Sequence, residues 1–129
     1  MELVDKEIKI WWISGVAVLI IFGLWYLISP ESVKVVFNHP FWDPTASRTI
    51  GAIYISWAII GLMLYKALDN WDKIESWVIF GTISNGIGVI LGIINIVLYT
   101  ISILSAIVSL IIHIFFTVLG IHILMQKRE

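Results

Sequence analysis

Cysteine is absent from the 129 residues. That excludes disulfides, thiolate nucleophiles, thiolate metal sites and palmitoylation. Charge is scarce as well: Asp, Glu, Lys and Arg make up 13% of the chain, about half of what a soluble domain carries. The formal net charge is −1 and no basic run occurs, so no nucleic-acid partner is expected. Proline occurs three times, and two of the three follow a residue suited to capping a helix.

What fills the chain instead is apolar, at 60% hydrophobic residues and a mean hydropathy of +0.99. So little polar surface cannot cover a protein of this size in water, which leaves an integral membrane protein. The longest run without Lys, Arg, Asp or Glu is residues 76–126, 51 residues. As one helix it would extend roughly 76 Å, against a hydrocarbon core of about 30 Å. It must cross twice.

In chain order, residues 1–9 mix acids and bases and read as a solvated turn, and residues 10–28 form a first charge-free span. A cleaved signal peptide fits poorly: there is no net positive charge before the run and no small-x-small site after it. Ser29, Pro30 and Glu31 read as the start of a short interfacial helix that Pro40 ends. Asp43 and Pro44 repeat the device and open the second span. Arg48 and Lys66 lie at its two ends, placed to snorkel to the interfaces. Asp72 with Glu75 matches a capping box, placing the next helix start at Lys73. The expected architecture is all-α: four spans, at residues 10–28, 46–67, 75–96 and 101–125, in one domain, with an interfacial helix between the first two.

With four spans, both termini and the loop after the second span share a side. That side holds Lys6, Lys9, Lys66, Lys73, Lys127 and Arg128, and the other only Lys34 and Arg48. Six against two predicts a multi-pass protein of the cell membrane with cytoplasmic termini. Trp11, Trp12, Tyr65, Trp71 and Trp77 are expected in the aromatic belt on the terminal side, and Trp25, Tyr26, Phe41, Trp42 and Tyr99 in the opposite one.

Within the charge-free run, small and polar residues recur at helical spacing. The third span carries Gly81, Ser84/Asn85, Gly88, Gly92 and Asn95, and the fourth Ser102, Ser105/Ala106, Ser109, His113, Thr117 and Gly120. A turn centred on Tyr99 pairs Gly81 with Thr117, Asn85 with His113, Gly88 with Ser109 and Gly92 with Ala106. Such stripes let helix backbones approach closely. His113 admits two readings: a packing histidine satisfied by Asn85 and a hydroxyl, or part of a mid-membrane ligand or proton path with Asn85, Ser56, Ser109 and Thr117. Tyr54 and Trp57 of the second span read as an aromatic cluster in the bundle core, or as side chains lining a cavity that faces it. A second candidate site is the loop bearing His39, Trp42, Asp43 and Arg48. It suits a headgroup, a ring or a partner's loop, and reads equally as a helix cap with an Arg–Asp pair.

No HExxH, phosphate loop or Glu-x-x-His pair occurs, so no catalytic residue, metal or cofactor is assigned. The order of four spans resembles the small DoxX-like membrane proteins. So does a second span that opens with Arg48-Thr49-Ile50-Gly51 after a polar loop and gives way to a Trp71-Asp72 turn. The resemblance covers roughly half the chain and implies a four-helix bundle; the cysteines of redox-linked relatives are missing. The leading functional expectation is a non-catalytic accessory or assembly subunit, partnered by the bilayer and by other membrane subunits or copies of itself. A transporter or channel component and a lipid-active enzyme are the alternatives.

Overall fold

The charged residues at the start do not delay the first helix. In the computed structural model, which describes residues 2–38, 43–98 and 102–127 (side chains from residue 6), α1 covers Glu2–Ile28. The expected solvated turn is therefore helical from Glu2. Glu and Lys are good helix formers, and Ile8, 1% exposed, anchors the segment in the core.

The short helix α2, Pro30–Phe37, starts where Ser29 and Pro30 predict. The Ser29 hydroxyl does not cap it, however. Ser32 Oγ donates to the Ser29 carbonyl (2.8 Å) and accepts from the Trp25 indole (2.7 Å). The helix stops at Asn38, in the left-handed region at φ 48°, a conformation Asn tolerates better than most residues. The predicted stop, Pro40, lies outside the described residues. Helix α3, Pro44–Leu64, is capped as expected: the Asp43 carboxylate accepts from the Thr45 N–H at 2.8 Å. Its end tightens into a 3₁₀ turn over Tyr65–Ala67.

Helix α4, Trp71–Val97, begins two residues before the expected Lys73, with Asn70 at the cap position. The capping box is thus not formed, and Asp72 instead sits in the first turn, near the positive end of the helix dipole. Helix α5, Ile103–Gln126, begins two residues late because the Ser102 hydroxyl accepts the Ser105 N–H (3.2 Å). Four segments are long and apolar enough to cross a membrane: Lys6–Ile28, Pro44–Ala67, Trp71–Val97 and Ile103–Gln126. The protein is an all-α, four-span membrane bundle with one short helix after the first span.

The spans pair as two hairpins. Helix α1 lies along α3, and α4 along α5; the hairpins meet chiefly where α1 touches α5, and α3 and α4 scarcely touch. At Gly51 the first pair is at backbone contact: a Cβ there would lie 2.7 Å from the Gly23 carbonyl oxygen and 2.9 Å from the Leu27 nitrogen. In the second pair the register differs from the expected one by about a turn. Gly88 faces the His113 ring rather than Ser109, Gly92 faces Leu110 rather than Ala106, and Gly120 faces Thr82. The late start of α5 accounts for the slip. Gly81 leaves the stripe altogether and accommodates Trp11 of α1, whose Cη2 is 2.5 Å from where a Gly81 Cβ would be.

The core gathers at the end carrying the termini: Ile8, Trp11, Trp12, Leu68, Ile74, Val78, Phe116 and Ile123. Trp11 and Trp12, expected in the aromatic belt, are each only 7% exposed. Consecutive helical residues point about 100° apart, so the two indoles reach different neighbours. Trp11 donates to the Phe116 carbonyl of α5 (2.9 Å), and Trp12 to the Gly61 carbonyl of α3 (2.8 Å). An indole N–H sealed from water needs such an acceptor. At the far end each hairpin is tight, but the hairpins do not close on one another.

Candidate ligand cavity between the hairpins

That failure to close leaves a cavity of about 590 Å³. It is lined on α1 from Trp11 to Tyr26, roughly 22 Å at the helical rise. Its floor is the packed core, with Trp11, Trp12 and Phe116 contributing faces to both. One wall, from α1 and α3, is aliphatic and aromatic: Leu19, Phe22, Tyr26, Tyr54 and Trp57, with Phe37 of α2 at the far end. The opposite wall, from α4 and α5, carries Ser84, Asn85, Ser105, Ser109 and His113. Trp57 and Phe80 meet edge-on across the α3/α4 seam, with ring centroids 5.6 Å apart, and both are exposed while also lining the cavity.

Hydrogen bonding fixes what the polar wall presents. His113 Nδ1 is 2.7 Å from the Ser109 carbonyl oxygen and 3.3 Å from Ser109 Oγ. A carbonyl only accepts, so Nδ1 carries the proton and Nε2 of the neutral ring bears a lone pair. Asn85 Nδ2 donates to the Gly81 carbonyl at 2.7 Å, which leaves Oδ1 as an acceptor and the second N–H as a donor. Among the described residues, the one fully buried side-chain nitrogen or oxygen without a partner is Glu7 Oε2. Nε2 and Oδ1 are therefore not fully sealed, although the Cδ2–Nε2 edge of the ring packs against Gly88 of α4. The Ser109–His113 pair is not a nucleophile and base, since the ring nitrogen facing Ser109 is the protonated one.

No family model, curated protein or solved structure matches the chain. The chemistry rests on its own residues.

The structure brings His113, Asn85, Ser109 and Ser84 together around one space and adds Ser105. Ser56 lies elsewhere, exposed on α3 with its hydroxyl donated to the Ala52 carbonyl. Thr117 donates to the His113 carbonyl and faces Gly86. Gly88 underlies the imidazole, and Gly92 and buried Ala106 sit in the α4/α5 interface. In the loop, Asp43 caps α3, and exposed Arg48 makes no salt bridge with it. His39 and Trp42 lie outside the described residues. Among the described residues, no three His, Asp or Glu side chains are placed to hold a metal.

Sequence reasoning missed Trp12, Phe22 and Tyr26 as cavity residues. Spacing along one helix says nothing about a gap between two pairs of helices. The paired indoles at Trp11 and Trp12 were the available signal, because they cannot both face lipid.

Proposed function

We propose that the protein is a small, non-catalytic binding protein of the cell membrane, with cytoplasmic termini, that holds a lipid-soluble molecule between its hairpins. The observation that carries this reading is the cavity: largely apolar walls, a few convergent polar groups at mid-depth, and a size within the range of ligand sites. The α3/α4 seam supports entry from the bilayer, because α3 and α4 scarcely touch and the Trp57 and Phe80 rings that meet across it are exposed. The cytoplasmic placement of the termini rests on the six-to-two Lys/Arg count.

The test is purification from native membranes in mild detergent, followed by solvent extraction and mass spectrometry. A molecule should be recovered at close to one per chain, and be depleted at least tenfold from the cavity-filling variants Leu19→Trp and Ser84→Phe. Equal recovery from wild type and both variants overturns the reading. A co-purifying membrane protein with no extractable ligand places the chain among accessory subunits instead.

A further inference from the structure

Charge is missing from the cavity, and nothing at its boundary makes up for it. None of the residues that line it is an Asp, Glu, Lys or Arg. One helix start reaches the lining, the first turn of α5 at Ser105, and the Ser105 N–H is already taken by the Ser102 hydroxyl (3.2 Å). Both ends meet aromatic side chains: Trp11, Trp12 and Phe116 of the packed core at one, and buried Phe37 of α2 at the other. The weakly closed side is the α3/α4 seam, which leads into the bilayer. Nor do the polar groups collect at one end, where a lipid head group would sit. Ser105, Ser109 and His113 recur at four-residue steps over about 12 Å of α5, with Ser84 and Asn85 of α4 on the same wall. Asn85 still has an oxygen and an N–H to be met, so the wall both accepts and donates.

We infer that the cavity takes an uncharged molecule, polar part included, and rejects phospholipids and other lipids with an ionised head group. This rests on the cavity being a ligand site. An ion brought inside needs a side chain of opposite charge or its own water, and without either the cost far exceeds what a hydrogen bond returns. The ring faces along the cavity attract a cation, but by far less than the hydration it gives up. A charged lipid that slid only its tail through the seam would lay methylenes against the polar wall and leave Asn85 unmet. The wall therefore suits a ligand whose polar atoms enter with the rest of it. A hydroxyl, carbonyl or amide is served equally, because the wall offers partners of both kinds.

The experiment uses the full-length protein, solubilised and immobilised, with tritiated probes of nearly one shape. They are 4-nonylbenzenesulfonamide, uncharged at neutral pH, its permanently anionic counterpart 4-nonylbenzenesulfonate, and the permanent cation (4-nonylbenzyl)trimethylammonium. Each is supplied at the same mole fraction in the micelle. Binding to the filled variants Leu19→Trp and Ser84→Phe defines the background. The sulfonamide should bind wild type at least about tenfold more tightly than either ion. Equal binding of sulfonamide and sulfonate, the result of a head group left outside, overturns the selectivity and leaves the cavity site standing. So does sulfonate binding that rises about tenfold between pH 8 and pH 5, which would put a positive charge on His113. Cation binding as tight as that of the sulfonamide also overturns it, and assigns the rings to a cation. No binding of any probe above the filled-variant background overturns the site itself.

Discussion

The two ends of the bundle solve the same packing problem differently. At the end carrying the termini, four spans and a turn converge on Trp11, Phe116 and five aliphatic side chains, with Trp12 tying in α3. Exposed and half-buried contacts add to this: Lys9 with Asp69 at 2.8 Å, His122 with Glu7 at 3.3 Å, and Lys127 over the Trp71 ring. At the far end, glycines bring α1 against α3, and separately α4 against α5, yet nothing large fills the space between the pairs. In a bilayer, lipid tails are as apolar as Leu, so a gap is closed by shape and hydrogen bonding and not by exclusion of water. The terminal end has two indoles suited to that task. The far end has hydroxyls and a histidine that bond within their own helices.

Truncating one tryptophan in the core and one on the α3/α4 seam should separate the two regimes most clearly. Trp11→Ala removes the Phe116 contact, the hydrogen bond and the ring seated on Gly81; a loss of about 3–5 kcal/mol in unfolding free energy is expected. Trp57→Ala, at the seam, should cost under about 1 kcal/mol, because its ring is largely exposed and buries little contact. Unfolding of both variants in mixed micelles reads the difference, and equal losses would mean that the α3/α4 seam holds the hairpins together as firmly as the core does.

Next in size is Gly51→Val. Its side chain meets backbone at Gly23 and Leu27, so the α1/α3 hairpin must open at a cost of about 2–3 kcal/mol. A cross-link between introduced cysteines at positions 23 and 51 of the cysteine-free chain would report the separation in parallel, and an unchanged melting temperature would show that the pair yields without strain. The smallest effect belongs to His122→Ala, about 0.5–1 kcal/mol. His122 is half exposed, but its Nε2 lies 3.3 Å from the buried Glu7 Oε2. A loss above 2 kcal/mol would mark this contact as a main tie between α1 and α5.

The spans, the extra helix and the Asp43 cap were legible because each depends on a local signal: a charge-free run, or a polar residue before proline. The α4/α5 register was legible only to within a turn. It depends on which residue of the connection caps α5, and Ser102 won that role over a start at Ile101. The capping box at Asp72 failed for the same kind of reason, with Asn70 standing at the cap first. His113 and Asn85 were identifiable as unusual at mid-membrane depth, and both do reach one site. Tyr54 and Trp57 of α3 were candidates to face them and do line the cavity; the partners on α1 were not identifiable, since the gap they share is a property of how two hairpins meet.

The tight knot at one end has a mechanical consequence. From the level of Phe116 to the start of α5 at Ile103 is roughly 20 Å of stiff helix, so the α4/α5 hairpin works as a lever with its pivot at the Trp11–Phe116 contact. A tilt of only about 5° about that pivot would displace the lever's tip by about 2 Å, comparable to the helix-tilt adjustments that bilayer thickness imposes on spanning segments. Helix α2 braces the opposite arm, its Val33 and Phe37 buried at the far end of α1 and α3. On this geometry, a tilt of the α4/α5 hairpin is the motion that would change the width of the cavity.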